Sequence, residues 1–448
     1  MRRFFSFLSA CLLCSASAYG SGTPNYLIML ADDIGVDMVG AYGEHPDPAR
    51  TPNIDRMAQQ GILFRNAYSE PICSASRAAL LTGRFGVRTG LGSNPKKLNA
   101  DNVGLTLDEI LLPELLQPFG YGSAVCGKWH LADFSQGPMH PIESGFDFAI
   151  GSLGNLSGME TYKRWKRSVN GTTRPSYAYA TTDAVDNAIR AIRHFEGRDK
   201  PWVVLVAFNA PHHPLHAPPG YLHSYPLTGD PQATPELHTK AMVEAMDTEI
   251  GRLLAGLGDA GDNTLVIFAG DNGSTEEAIT APFDPEHGKG TVYEGGINVP
   301  FIVSGQAVVN PGRQVEGLIH LRDIYPTLAE MSGVPIQHPV DGLSLLPYLS
   351  ASTPDSIAGS LRDWAYSESF KPNIGSPGGG HSFRRRAVRN TDGFKLVVNW
   401  SGMSESFMFD LNTDPFETTN LLHGQMTAQE QAAFDELTSI MERIKALR

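Results

Sequence analysis

The chain has 448 residues, with 35 Lys and Arg against 48 Asp and Glu, a net charge of -13 and a pI near 5.5. That balance argues against a nucleic-acid partner, which calls for a net basic surface. The four cysteines exclude a disulfide scaffold: Cys11 and Cys14 fall in the first segment, leaving only Cys73 and Cys126.

Arg2 and Arg3 precede an apolar stretch from Phe4 to Leu13, and Ala16-Ser17-Ala18 supplies the small residues of a cleavage site. Residues 1–18 therefore read as a signal peptide and predict export, to a periplasm or to the medium. The stretch falls short of the roughly 20 apolar residues that a membrane-spanning helix needs. Leu8-Ser9-Ala10-Cys11 also resembles a bacterial lipoprotein box, which would anchor the chain through Cys11. No later apolar run is long enough to span a membrane. What remains exceeds one usual core, so a large domain with a smaller companion is expected.

Apolar, β-branched runs then predict strands at Tyr26–Leu30, Gly122–Cys126, Trp202–Phe208, Thr264–Ala269 and Pro300–Ser304. Helices separate them. Val185, Ala188, Ile189 and Ile192 recur at helical spacing, as do Met246, Ile250, Leu253, Leu254 and Leu257. Such alternation predicts an α/β fold in which a large mixed, mainly parallel sheet is sandwiched by helices. Near Ser350 the sequence turns Ser-, Pro- and Gly-rich. Runs at Arg386–Arg389, Phe394–Asn399 and Phe407–Leu411 follow, then Phe434, Leu437, Met441 and Ile444 at helical spacing. A smaller C-terminal antiparallel sheet with a closing helix is expected, the boundary lying at 355/356.

The chemically active residues cluster where the strands end. Asp32 and Asp33 follow the first strand, Lys128 and His130 the second, His212 the third, and Asp271 and Asn272 the fourth. Ligands in open α/β sheets bind outside the carboxyl ends of the strands, so these segments are expected to converge on one pocket. Asp32, Asp33, Asp271 and Asn272 offer only oxygen donors, a set suited to Ca²⁺ or Mg²⁺ and not to zinc. Either pair alone reads equally well as a turn or a helix cap.

Cys73 to Arg84 reads Cys-Ser-Ala-Ser-Arg-Ala-Ala-Leu-Leu-Thr-Gly-Arg. This segment closely resembles the signature of the formylglycine-dependent sulfatases of the alkaline phosphatase superfamily. The resemblance continues through Thr51-Pro52-Asn53, Gly127-Lys128-Trp129-His130, Pro211-His212-His213-Pro214, Gly270-Asp271-Asn272-Gly273, Lys289 with Glu294-Gly295-Gly296, and Asp341-Gly342-Leu343-Ser344. It implies an alkaline phosphatase-like catalytic domain over 23–355, a subdomain over 356–448, and hydrolysis of a sulfate ester. It further implies that a maturation enzyme oxidises Cys73 to formylglycine, whose hydrate offers one hydroxyl to attack sulfur and a second to release the sulfate. Asp32, Asp33, Asp271, Asn272 and residue 73 would hold one Ca²⁺ or Mg²⁺. Arg77 and Lys128 would hold the formylglycine, Lys289 and His212 the sulfate and the leaving oxygen, and His130 would take the second hydroxyl's proton.

Ala75 stands where the commoner signature has proline, Ala132 where glycine is frequent, and Asn298 where arginine is frequent. His213, His216, His287, His381 and Arg385 are candidate contacts to a sulfated small molecule or saccharide. The triple Arg384-Arg385-Arg386 reads equally as a charged strand edge. Two other functions fit parts of the pattern: a phosphomonoester or phosphonate ester hydrolase with the same metal site, and a non-catalytic protein that binds sulfated glycans. A Cys73–Cys126 disulfide is the structural alternative to an oxidised Cys73.

Overall fold

The computed structural model describes residues 23–95, 102–156, 159–351, 359–375 and 381–447. The leader reading, the Cys11 lipid anchor and the 355/356 boundary touch residues outside these. The strands are β1 (Asn25–Asp32), β2 (Gly61–Phe64), β3 (Ala67–Tyr68), β4 (Gly122–Gly127), β5 (Phe148–Gly151), β6 (Trp165–Val169), β7 (Thr172–Ser176) and β8 (Trp202–Pro211). After them come β9 (Thr264–Gly270), β10 (Phe301–Gly305), β11 (Arg313–Val315), β12 (Ile319–His320), β13 (Trp364–Lys371), β14 (Phe383–Asn390), β15 (Phe394–Trp400) and β16 (Ser404–Asp410).

Among the described residues, ten of these strands form one sheet in the order β11-β2-β10-β9-β1-β8-β4-β5-β6-β7. Its centre, β9-β1-β8-β4-β5, is parallel throughout, and β10, β6 and β7 pair antiparallel toward the two edges. Along β1 the side chains alternate between the two faces. Leu27, Met29 and Ala31 enter one apolar core, whereas Tyr26, Ile28 and Leu30 enter the other. Both faces are covered, so the central strands read as continuous apolar runs. The first core takes the helices Ala180–Glu196 and Pro235–Ala255, and the second takes the helices Cys73–Thr82 and Ile324–Met331. Leu257, expected on the second amphipathic helix, lies beyond its end at Ala255.

The smaller sheet is antiparallel in the order β13-β14-β15-β16, and the helix Ala428–Lys445 closes one of its faces through Leu437, Met441 and Ile444. Its other face meets the large domain. Ala365, Ala387, Val397 and Phe409 pack there with Tyr68, Val292 and Ile297.

Register fixes where the site forms. Ala31 pairs with Gly270, Asp32 with Pro211, and Gly127 with Ala207. The residues that follow four adjacent strands therefore leave the sheet at one level of its carboxyl edge.

Candidate active site

Two left-handed residues begin the site. Asp33 has φ 72° and His130 φ 62°, a conformation that non-glycine residues adopt rarely and at a cost of roughly 1–2 kcal/mol. Backbone bonds hold both: Asp33 N–H donates to Asp271 Oδ1 at 3.2 Å, and His130 N–H to the Leu153 carbonyl at 3.1 Å. Gly127, with φ 114°, lies against the Ala207 carbonyl so closely that an added Cβ would sit 1.9 Å from its oxygen. Only glycine permits the turn into Lys128.

Cys73 opens the buried helix Cys73–Thr82, so its side chain sits at the positive end of the helix dipole. Its Sγ lies 3.3 Å from His130 Nδ1 and 3.5 Å from Lys128 Nζ, and donates to Asn94 Oδ1 at 3.3 Å. One turn along, Arg77 donates to Asp271 Oδ2 through Nε at 3.0 Å and Nη2 at 2.8 Å, and to the Lys128 carbonyl at 2.7 Å. Cys73 and Cys126 are both buried and free.

Cations and carboxylates pair one to one. Lys128 bonds Asp32, Lys289 Nζ lies 2.5 Å from Asp33 Oδ1, and Arg77 holds Asp271. Yet each pairing uses only part of the oxygen donor set. Asp32 Oδ1, Asp33 Oδ2 and Asn272 Oδ1 are buried with no hydrogen-bond partner, an arrangement that costs stability unless a cation takes those oxygens. Ligand atoms of Asp32, Cys73 and Asp271 lie within 4.8 Å of one another, as do those of Asp32, Asp33 and His212. The donor chemistry and the orphaned oxygens together fit a hard divalent cation.

The charges shift one another. Burial alone would raise Asp32, but Lys128 and then His212 hold it well below the usual carboxylate range. Burial, reinforced by the Asp32 charge, pushes Asp271 up to about 7 despite Arg77. Burial and the Lys128 charge hold His130 well below the usual imidazole range; burial also lowers His212, against the pull of Asp33. Burial opposes the Lys289 charge, but Asp33 outweighs it and raises the ammonium. The geometry thus offers two neutral imidazoles, three fixed cations and a cation-sized oxygen cluster around one thiol.

The candidate substrate contacts divide. His213 lies at the rim, its Nε2 3.6 Å from Glu277 Oε2. His287 stacks on Tyr293 with ring centroids 3.7 Å apart, two residues before Lys289. Arg385 reaches from β14 to the Gly290 carbonyl, beside Lys289. His216 has both nitrogens engaged, by the Pro214 carbonyl at 3.0 Å and Tyr179 Oη at 3.1 Å, and packs on Tyr162 behind the His212 segment. His381 is tied to the Pro372 carbonyl at 2.8 Å. Asn94 and Tyr162 escaped sequence reasoning. The Tyr162 hydroxyl donates to the His212 carbonyl at 2.7 Å, and no motif marks either residue.

With this geometry established, likeness to known proteins becomes informative. The family model described as Sulfatase matches residues 24–334, and one described as N-sulphoglucosamine sulphohydrolase, C-terminal, matches 285–446. The human N-acetylgalactosamine-6-sulfatase is 34% identical over 359 residues, which cover 73% of this chain and 66% of that protein. The mouse steryl-sulfatase is 28% identical, covering 73% of this chain and 65% of that one. Among solved structures, Ps i-CgsB in complex with k-i-k-neocarrahexaose superposes with a TM-score of 0.79 at 26% identity, covering 95% of this chain and 93% of that one. The PsFucS1 sulfatase from Pseudoalteromonas sp. gives 0.74 at 27%, covering 95% and 90%.

Proposed function

The chain belongs to the sulfatase family, and from that premise we propose that it hydrolyses the sulfate ester of a saccharide, using a formylglycine made from Cys73 and one divalent cation. The observation that carries this reading is the set of three buried oxygens without partners, on Asp32, Asp33 and Asn272, beside a thiol that Lys128 Nζ and His130 Nδ1 both reach. Asp32, Asp33, Asp271, Asn272 and residue 73 would hold the cation, Ca²⁺ in preference to Mg²⁺. When bound, the cation polarises a sulfate oxygen and lowers the proton affinity of the attacking hydroxyl. The oxidised and hydrated residue 73 supplies that hydroxyl together with a second one, whose deprotonation frees the sulfate.

The chain's own groups do the rest. Lys128 orients residue 73 through its contact with the sulfur, and Arg77 supports it indirectly by holding the Lys128 carbonyl. Neutral His130, with Nδ1 at 3.3 Å from the Cys73 Sγ, is placed to accept a proton there. Lys289 neutralises developing charge on the sulfate; His212, whose Nδ1–H is committed to the His213 carbonyl at 2.8 Å, donates toward the leaving oxygen through Nε2 once that nitrogen is protonated beside the anionic substrate. Burial of Asp32, Asp33, Asp271 and Lys128 keeps bulk water from screening these interactions.

A saccharide is favoured as substrate because the relatives named above include an N-acetylgalactosamine-6-sulfatase and a structure holding a neocarrahexaose. The leader sequence supports export, and the signature that begins at Cys73 supports maturation by a dedicated oxidising enzyme. Among the described residues no helix is long and apolar enough to cross a membrane.

Mass spectrometry of the tryptic peptide holding residue 73, combined with assays on matched aryl sulfate and aryl phosphate, tests the proposal. An aldehyde at residue 73, preferential sulfate release, loss of turnover on chelation and its return with Ca²⁺ are the expected results. Faster turnover of the phosphate ester would move the protein to phosphoryl chemistry, and glycan binding without any sulfate release would make it a binding protein.

A further inference from the structure

Among the described residues the Cys73 sulfur has three hydrogen-bond partners, of which two have roles in the reading above and the third has none. His130 Nδ1 and Lys128 Nζ are those two; the third is Asn94 Oδ1, which accepts from Sγ at 3.3 Å. The thiol sulfur here stands where an oxygen of the oxidised side chain would lie. Asn94 belongs to an irregular segment, and buried amides from distant parts of the chain fix that segment. Asn373, just beyond β13, accepts from Gly92 N–H at 3.0 Å, Ser93 N–H at 2.9 Å and Ser93 Oγ at 3.2 Å. Its own amide donates to the Ser93 carbonyl at 3.0 Å and the Val103 carbonyl at 2.8 Å.

Asn102 completes the clasp. Its Oδ1 accepts from Asn373 N–H at 2.6 Å, and its Nδ2 donates to Ser93 Oγ at 2.9 Å and to the carbonyl of Asn94 itself. Ser93, Asn102 and Asn373 are all buried. A buried polar network rigidifies its surroundings when its members are satisfied, and these bonds converge on residues 92–94. The result is a side chain held firmly against the nucleophile, as a group acting on it must be.

We propose that Asn94 is a further catalytic residue, whose amide oxygen accepts a hydrogen bond from the reacting group at residue 73 and fixes its orientation. Asn102 and Asn373 are positioning residues that act through it. This assignment rests on the sulfatase reading of the site. An amide does not titrate, so Asn94 moves no proton; that remains the part of His130.

Matured wild type, Asn94→Ala, Asn94→Asp, Asn373→Ala and the Ala double variant are compared in three ways. These are conversion of residue 73 by peptide mass, affinity for inorganic sulfate by calorimetry, and turnover of an aryl sulfate. Asn94→Ala is expected to lower kcat roughly tenfold to a hundredfold, with conversion and sulfate affinity unchanged. Asn94→Asp keeps the acceptor and retains more activity than Asn94→Ala. The double variant is expected to lose no more than the weaker of its two parents, because both act through one contact.

An unchanged kcat in Asn94→Ala overturns the proposal. So does a raised KM with weakened sulfate binding at constant kcat, which would make Asn94 a substrate contact, or a loss accounted for by incomplete conversion. Additive losses overturn the role of Asn373, and if Asn373→Ala does not fold, the Asn94 variants decide alone. Fully converted wild type that releases no sulfate from any ester tested overturns the sulfatase reading instead, a result separate from any difference among the variants.

Discussion

At the scale of single residues, the charge of the pocket explains its chemistry. Asp32, Asp33 and Asp271 are each matched by one cation, and burial keeps His130 and His212 neutral, so the side chains nearly cancel. A divalent cation on the orphaned oxygens would leave the pocket positive, in surroundings where water screens little, and an anionic ester would restore the balance. Lys289 is the cation of the three whose side chain retains some exposure, 19% against 2% or less for Arg77 and Lys128. It is therefore the one best placed to meet a substrate. Lys289→Ala is expected to reduce kcat on an aryl sulfate on the order of 10²- to 10³-fold, the loss typical of one preorganised electrostatic donor. Steady-state kinetics on fully converted protein checks this, and a change confined to KM would assign Lys289 to ground-state binding.

At the scale of elements, strand ends do the positioning. β4 illustrates it: the run Gly122–Cys126 is buried, and Gly127 then turns the chain so that Lys128 and His130 face the helix that Cys73 opens. Gly127→Ala would bring a methyl group against the Ala207 carbonyl in a left-handed backbone. The expected cost is about 2–4 kcal/mol by urea unfolding, with activity falling further than stability because Lys128 and His130 move with the turn. A variant with wild-type stability and kinetics would show that the turn tolerates a side chain.

The legibility of the elements follows their burial. β1, β4, β8 and β9 announce themselves because both faces are covered and the runs are apolar. β6, reading Trp-Lys-Arg-Ser-Val and half-exposed, and the exposed edge strand β7 beside it, reading Thr-Thr-Arg-Pro-Ser, are hidden by their polar composition. β13 was also missed, although it pairs along its whole length with β14. Its Ser-Glu-Ser core is buried by polar contacts, Glu368 meeting Tyr366 Oη at 2.9 Å and the Val87 amide at 2.7 Å.

At the scale of the whole molecule, the smaller sheet is docked by buried charge as well as by apolar packing. Lys395 of β15 has no exposed side-chain surface and lies 2.8 Å from both Glu294 and Glu417. Glu294 also accepts from Tyr68 Oη at 3.1 Å, and Arg385 of β14 ties the Gly290 carbonyl beside Lys289. The C-terminal sheet therefore helps to hold the segment that carries Lys289. One cation serves two carboxylates there, and burial raises Glu417 to about 7 against the pull of Lys395.

The sign of the linkage follows from that shift. A carboxyl group raised in the folded state binds its proton more tightly there than in the unfolded chain. Its stabilising contribution is complete below the ordinary glutamate range and is lost as pH rises through about 7. Glu417→Gln, which cannot ionise, is therefore expected to gain stability relative to wild type between pH 5 and pH 8. Melting temperatures across that range provide the check, and a constant difference would place the Glu417 titration elsewhere.

Legible in the amino-acid order alone are the α/β alternation, the strand ends where carboxylates, lysines and histidines fall, and the family signature that starts at Cys73. These are local features: hydrophobic period, residue type and motif spacing are written in neighbouring letters. It took the folded chain to pair three carboxylates one to one with three cations while leaving Asp32 Oδ1, Asp33 Oδ2 and Asn272 Oδ1 without partners. Tertiary structure alone set Arg385 against a backbone carbonyl and His216 behind the His212 segment, and it alone brought Asn94 to the Cys73 thiol. Those outcomes depend on contacts between residues as far apart as 93 and 373, and side chains with no sequence pattern are placed by packing and hydrogen-bond satisfaction across the whole core.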